Sequence, residues 1–147
     1  MMNINIKRMD CSHIKALSEI EKECFSTPWS ENALSDELTN NFARFFVAEC
    51  DGEVSGYIGA HNILGEVYIT NVAVSESFRR KGISEKLIRT LVDFCESEGM
   101  EFVTLEVRRS NEAAKKLYSK MGFEEVGERK DFYENPREDA ILMTYKR

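Results

Sequence analysis

Glu106 stands near the end of the run Phe102-Val103-Thr104-Leu105-Glu106-Val107-Arg108, FVTLEVR, which alternates like a strand with Val103, Leu105 and Val107 on one face. It shares the other face with Phe102 and Thr104, just before a turn and a helix. A carboxylate in an otherwise buriable strand is costly unless it is paired or put to use. Arg108 and Arg44 are its candidate partners. A second stretch, Val72-Ala73-Val74-Ser75-Glu76-Ser77-Phe78-Arg79-Arg80-Lys81-Gly82-Ile83-Ser84, runs from a strand end through a basic turn into an amphipathic helix. Helix N-termini present free N–H groups and a partial positive charge, so such a turn is a natural anion site. Gly82 lets the backbone approach a phosphate, and Arg79, Arg80 and Lys81 add countercharge. A solvated basic turn before a surface helix fits the same residues. Tyr118 shares a helical face with Ala114, Leu117 and Met121, a pattern that core packing alone would explain, and Asn111 is a good helix N-cap by type.

The elements that must position these residues follow from periodicity. Asn3 to Lys7 alternates as a first strand; Ile14, Leu17, Ile20 and Cys24 then recur at helical spacing after a cap at Ser12. Thr27-Pro28-Trp29-Ser30 starts a second helix ending near Asn40. Phe45 to Cys50, the Asp51-Gly52 turn and Glu53 to Ala60 read as a hairpin, and Glu66 to Val74 as another strand. Apolar residues at 83, 87, 88, 91, 92 and 95 mark an amphipathic helix stopped by Glu98-Gly99. After FVTLEVR come a helix from Asn111 to Met121, a strand over Phe123 to Arg129 and a last strand over Asp139 to Lys146. This order predicts a single α/β (α+β) domain over 1–147, with a mixed, mostly antiparallel sheet of six or seven strands flanked by four helices.

At 147 residues the chain is long enough to bury one substantial core. Its 42% hydrophobic and 31% charged residues are ordinary for a globular protein, and no apolar run approaches the ~20 residues of a membrane span. The start, MMNINIKRMD, lacks the apolar core and cleavage site of a signal peptide. Cys11, Cys24, Cys50 and Cys95 are scattered, with only His13 and His61 beside them, so reduced thiols in a cytoplasmic protein are expected and no metal site. A net charge of −6 argues against nucleic-acid binding but suits a basic peptide partner.

Arg79-x-x-Gly82-x-Ser84 resembles the Arg/Gln-x-x-Gly-x-Gly/Ala signature of the GCN5-related N-acetyltransferase superfamily, departing from it at Ser84. Leu105-Glu106-Val107-Arg108-x-Ser110-Asn111-x-x-Ala114-x-x-Leu117-Tyr118-x-x-x-Gly122-Phe123 resembles its ribosomal-protein-alanine branch, as do Pro28-Trp29-Ser30 and Arg137-Glu138-Asp139-Ala140. The resemblance implies acetyl coenzyme A as cosubstrate, with its pyrophosphate on the turn and helix start from Arg80, Lys81 and Gly82 to Ile83, Ser84 and Glu85. It implies a pantetheine arm along Val72, Ala73 and Val74 in a gap between strands 66–74 and 102–108, and a contact at Asn111. It makes Glu106 the general base and Tyr118 the general acid. Trp29, Tyr133 and Glu138 are then candidate walls of a peptide groove.

The implied acceptor is a protein N-terminus, that of a small-subunit ribosomal protein beginning with alanine. Acid–base chemistry favours an α-amine: its pKa is about 7.7–8.0 against about 10.4 for lysine, so deprotonation at neutral pH costs roughly 1 rather than nearly 5 kcal/mol. A lysine side chain or a polyamine is the alternative acceptor, and a noncatalytic coenzyme-A-binding module the alternative of another kind. None of the four cysteines lies in the segments carrying these motifs, so direct transfer is expected rather than an acyl-enzyme.

Overall fold

The computed structural model describes residues 3–147; Met1 and Met2, the start of the stretch read for a signal peptide, lie outside the described residues. Seven strands form one sheet in the order β1-β2-β3-β4-β5-β7-β6. They are β1 (Ile4–Arg8), β2 (Ala43–Cys50), β3 (Glu53–Ile63), β4 (Glu66–Val74), β5 (Phe102–Arg108), β6 (Glu124–Tyr133) and β7 (Glu138–Lys146), with helices α1 (Ile14–Cys24), α2 (Glu31–Asp36), α3 (Ile83–Ser97) and α4 (Glu112–Lys120). Only β4 and β5 pair in parallel; every other ladder is antiparallel. Six or seven strands with four helices were expected, and the sheet has seven.

Each face of the sheet carries its own core. Ile83, Leu87, Ile88, Leu91, Val92 and Cys95, the six positions of the α3 stripe, are all buried against β2, β4 and β5 residues such as Phe46, Val67 and Val103. The other face packs Leu17, Ile20 and Leu34 of α1 and α2 on Phe45, Val47 and Tyr57. Among the described residues no helix is long and apolar enough to cross a membrane.

Local boundaries shift where side chains compete for the backbone. A 3-10 turn, Cys11–His13, precedes α1, and its cap is Asp10 rather than Ser12, because the Asp10 carboxylate accepts from the Ser12 amide at 2.8 Å. The second helix ends at Asp36 and tightens into a 3-10 turn over Glu37–Thr39. β6 runs on to Tyr133, four residues past its expected end, through a register irregularity between Arg129 and Tyr133.

One irregularity shapes the centre of the molecule. Opposite β4, Gly59 pairs with Asn71 and Ala60 with Ile69, which leaves Thr70 as an extra residue. Such a bulge bends its strand and reverses the alternation of side chains beyond it. Accordingly Val67 and Ile69 face the α3 core before the bulge, while Val72 and Val74 face it afterwards.

Candidate active site

β4 and β5 pair only over Glu66–Tyr68 and Phe102–Thr104. Past that point β4 is paired with β3 alone and β5 with β7 alone. The bulge at Thr70 sits where they part, so the two strands open into a wedge. Its β4 wall offers backbone groups whose direction follows from register. The Ser75 amide donates to the Ser55 carbonyl at 2.8 Å, and hydrogen-bonded and non-hydrogen-bonded pairs alternate along an antiparallel ladder. Ala73 is therefore bonded to β3, whereas the N–H and C=O groups of Val72 and Val74 point into the wedge.

One of these groups already has partners. The Val74 carbonyl accepts from Arg79 Nε at 3.2 Å and lies 3.5 Å from the Cys24 thiol. Arg79 Nη2 lies 3.4 Å from that sulfur, so Arg79, though exposed, folds back on the strand end, while the exposed Arg80 and Lys81 are the other cations of the turn. Cys24, from a helix remote in sequence, thus borders the wedge although no motif contained it. Burial pushes its thiol up, with Arg79 opposing, and a thiol held protonated is a poor nucleophile.

At the start of α3, Gly82 takes φ +78°, a left-handed conformation that costs other residues energy. No side chain caps this helix, so the first-turn amides of Ile83, Ser84 and Glu85 remain open to an anion. A Cβ on Gly82 would meet nothing within 4 Å; the glycine serves the backbone turn and leaves the space beside it clear. An uncapped helix start beside an unpaired strand edge fits the pyrophosphate and pantetheine of a coenzyme A molecule. Asn111 caps α4 through the Ala114 amide at 3.1 Å. Among the described residues no group of three or more His, Cys, Asp and Glu is placed to hold a metal ion.

The β5 wall carries Glu106, whose side chain is 5% exposed. Neither partner expected for it is available: Arg44 forms a fork on Glu98, at 2.9 Å through Nε and 2.9 Å through Nη2, and Arg108 is engaged by Glu138 and by the carbonyls of Glu134 and Pro136. Instead Arg129 of β6 brings Nε to 3.0 Å from Oε2, and the Tyr68 hydroxyl of β4 donates to Oε1. Burial pushes the Glu106 carboxyl above the usual carboxylate range, and the Arg129 guanidinium opposes that rise.

Tyr133 neighbours this carboxylate, and Tyr118 neighbours Tyr133. Tyr133 packs under the Arg108 guanidinium, 4.4 Å from ring centroid to Cζ, and is pushed up to about 12 by burial and then by the Glu106 charge. Tyr118 is buried against Phe123, with ring centroids 5.5 Å apart, and burial followed by the neighbouring Tyr133 holds its hydroxyl well above the usual tyrosine value. That hydroxyl makes no hydrogen bond to a described residue, yet no enclosed side-chain polar atom among those residues lacks a partner, so it reaches open space. Both tyrosines are held as neutral proton donors.

Two further candidates lie at the edges. Trp29 sits on the β4 side, its amide held by Glu21 at 2.8 Å and its ring 6.2 Å from Phe45. Glu138 receives the Ser110 amide at 2.6 Å and ties the β6–β7 turn to the end of β5, so its carboxylate is committed within the chain. Glu106 and Tyr133 are thus neighbours and Tyr118 lies next to Tyr133, while Trp29 stands between Glu21 and Phe45. Tyr68, Arg129 and Cys24 complete the surroundings. Tyr68 could have been noticed as the residue beside Thr104 on the Glu106 face, but nothing local marks Arg129.

Residues 14–123 match the model of the acetyltransferase (GNAT) family. The chain is 34% identical to the putative [ribosomal protein bS18]-alanine N-acetyltransferase of Bacillus subtilis, over 94% of this chain and 92% of the relative. It is 31% identical to the [ribosomal protein bS18]-alanine N-acetyltransferase of Escherichia coli, over 94% of each. The crystal structure of the ribosomal-protein-S18-alanine N-acetyltransferase from Escherichia coli superposes with a TM-score of 0.91 at 29% identity, covering 98% of this chain and 94% of that one. A wedge between two parallel strands, an uncapped glycine turn beside it and a family match across both walls lead to one conclusion: the chain belongs to the acetyltransferase (GNAT) family and is an acetyl-CoA-dependent N-acetyltransferase.

Proposed function

We propose that the chain acetylates the N-terminal α-amine of a protein, and that the acceptor is the N-terminal alanine of ribosomal protein bS18, the substrate in the names of the Bacillus subtilis and Escherichia coli relatives. The observation that carries the reading is Glu106, a desolvated carboxylate on the β5 wall of the wedge, with neutral Tyr133 beside it and neutral Tyr118 next to Tyr133. Acetyl coenzyme A supplies the thioester carbonyl. The chain's own groups then have three tasks. Val72, the Val74 amide and the first turn of α3 hold the pantetheine and phosphates, which fixes the carbonyl in the wedge. Glu106 takes a proton from the ammonium, freeing the nitrogen lone pair to attack, and Tyr118 gives its proton to the sulfur as the C–S bond breaks. A carboxylate raised by burial is a better base than one in water, which suits an α-amine of pKa about 7.7–8.0.

Thiol release from acetyl coenzyme A, measured with two matched peptides, tests this. One has a free N-terminal alanine; the other is blocked there and carries an internal lysine. Turnover confined to the free alanine supports the reading. Turnover on the blocked peptide would move the activity to lysine, and coenzyme binding without turnover on either would end the catalytic assignment for peptides.

A further inference from the structure

The proposed function leaves the Glu106 base with a difficulty: both of its oxygens are occupied, Oε1 by the Tyr68 hydroxyl and Oε2 by Arg129. A base must present a free lone pair to the proton it removes. Each oxygen keeps a second lone pair, but only 5% of the side chain is exposed, so an ammonium gains its approach where one of the two occupants yields, and four observations single out Arg129.

Its reach is long. β7 lies between β5 and β6, and Arg129 stands opposite Ala140, which in turn stands opposite Arg108. To meet Glu106 the side chain crosses β7 diagonally over the methyl of Ala140, so its hold depends on one extended conformation. It is also only loosely held. The Arg129 side chain is 55% exposed, and an ion pair with one partner in water contributes little, so solvation can replace it. A resting place lies nearby, because its Cζ is already 5.9 Å from the centre of the half-exposed Phe132 ring. Finally, Arg129 carries the charge and hydrogen-bonding capacity that an arriving ammonium would bring. Arg108, the other guanidinium on this face, is committed to Glu138 and two carbonyls and is not free to serve Glu106.

We propose that Arg129 is the resting occupant of the amine subsite, a positioning residue that keeps Glu106 ionised and oriented until the substrate's ammonium displaces it. This rests on the N-terminal acetyltransferase reading and deepens it. The exchange is isoelectric: one cation leaves the carboxylate as another arrives. The ammonium takes over the guanidinium's counterweight but, unlike it, can give up a proton, and once that proton moves the positive charge is gone and burial favours the protonated Glu106. The proton passes from nitrogen to Oε2, the amide product is neutral and loses its hold on the carboxylate, and Glu106 returns its proton to water as Arg129 swings back. The other titratable groups around this carboxylate are Tyr68 from β4, Tyr133 from β6 with Tyr118 of α4 behind it, and Arg108 and Glu138 at the wedge's end. The tyrosines are proton donors at neutral pH and the last two are paired with each other, so Arg129 sets the local charge balance.

The test follows Glu106 itself, through the carboxyl 13C shift of labelled glutamate across a pH series, with the resonance assigned by its absence in Glu106→Gln. Wild type is compared with Arg129→Gln and Arg129→Lys, each checked for folding by circular dichroism. Arg129→Gln should titrate about one pH unit higher than wild type, as loss of an adjacent opposite charge requires. Arg129→Lys should stay near wild type. The acid limb of kcat/KM for the free-alanine peptide should move with the carboxyl, and above that limb the peptide KM of Arg129→Gln should fall severalfold because no internal cation competes. A Glu106 carboxyl that titrates alike in wild type and Arg129→Gln, or a peptide KM that rises or stands still, overturns the proposal. A wild type inert on the free-alanine peptide would instead sink the functional reading, while the titration would still judge the hold of Arg129 on Glu106.

Discussion

In the proposed mechanism Glu106 and Tyr118 divide the work by environment. Each is buried, and burial favours the neutral form of both, which makes one a stronger base and the other a secure proton donor. Glu106→Gln should lower kcat by about 10²- to 10⁴-fold with the coenzyme KM little changed, in steady-state assays with the peptide above. Tyr118→Phe should cost less, roughly 10²-fold, because a thiolate with a pKa of about 8.5 already leaves readily. The raised Glu106 carboxyl also bears on stability. The folded protein binds this proton more tightly than the unfolded chain does, so the stability it contributes is full below the ordinary carboxylate value and lost as pH rises through the raised value. Ionised Glu106 is therefore a cost at neutral pH. Glu106→Gln, which resembles the protonated form, should melt at a higher temperature than wild type at pH 7, and the difference should shrink as the pH falls below about 4, near the unperturbed glutamate value. Paired calorimetric scans at the two pH values check this sign.

At the scale of elements, the Thr70 bulge and the Gly82 turn convert ordinary strands and helices into a cleft that fits a coenzyme. The bulge turns β4 away from β5, and the turn leaves α3 uncapped. Gly82→Ala would force a side chain into the left-handed region at a cost of about 1–2 kcal/mol, without a steric clash. The expected outcome is a modest fall in melting temperature and a larger rise in the KM for acetyl coenzyme A, read in the same thiol-release assay. Asn111 caps α4, the helix that delivers Tyr118. Asn111→Ala should destabilise the fold by about 1 kcal/mol in urea unfolding. Any loss of coenzyme affinity beyond that would mark Asn111 as a direct contact as well.

Across the whole molecule, one buried carboxylate ties the layers together. Glu21 on α1 is 1% exposed; it accepts from the Tyr57 hydroxyl of β3 at 2.7 Å and the Trp29 amide at 2.8 Å, and beside it the Asn71 amide oxygen of β4 accepts from Trp29 Nε1 at 3.3 Å. A helix, the loop bearing Trp29 and β3 thereby share one charge, and Asn71 joins β4 to them. Tyr57→Phe would leave one Glu21 oxygen short of its strongest donor and should cost about 1–3 kcal/mol in denaturant unfolding. Because the same network seats Trp29, the peptide KM should rise while the coenzyme KM holds. Nothing in the segment IEKECF distinguishes Glu21 from Glu19 or Glu23, since its partners come from residues 29 and 57.

Periodicity carried most of the fold. The α3 stripe, the β2–β3 hairpin and the limits of β4 and β5 were legible because each depends on residues a few positions apart, whose spacing decides which face is buried. Glu106, Gly82 and the cap at Asn111 were legible for the same reason, since they lie within strand–turn–helix units whose geometry is local, whereas spacing alone gave Tyr118 only as core packing and the family resemblance drew it into the candidate site. The partner of Glu106 was not. Arg44 and Arg108 were near enough in type to serve, but Glu98 and Glu138 claim them, and the charge that reaches Glu106 comes from β6 across β7. The approach of Cys24 to Val74 was equally hidden in the sequence. So was the gap between β4 and β5: Thr70 reads as one more strand residue until its pairing with β3 shows it to be extra. Sequence by itself determined which elements carry the candidate residues and which faces they bury, because short-range spacing sets both. Tertiary structure alone decided where the sheet opens and which charges meet there, because register and cross-strand contacts join residues that no local pattern relates.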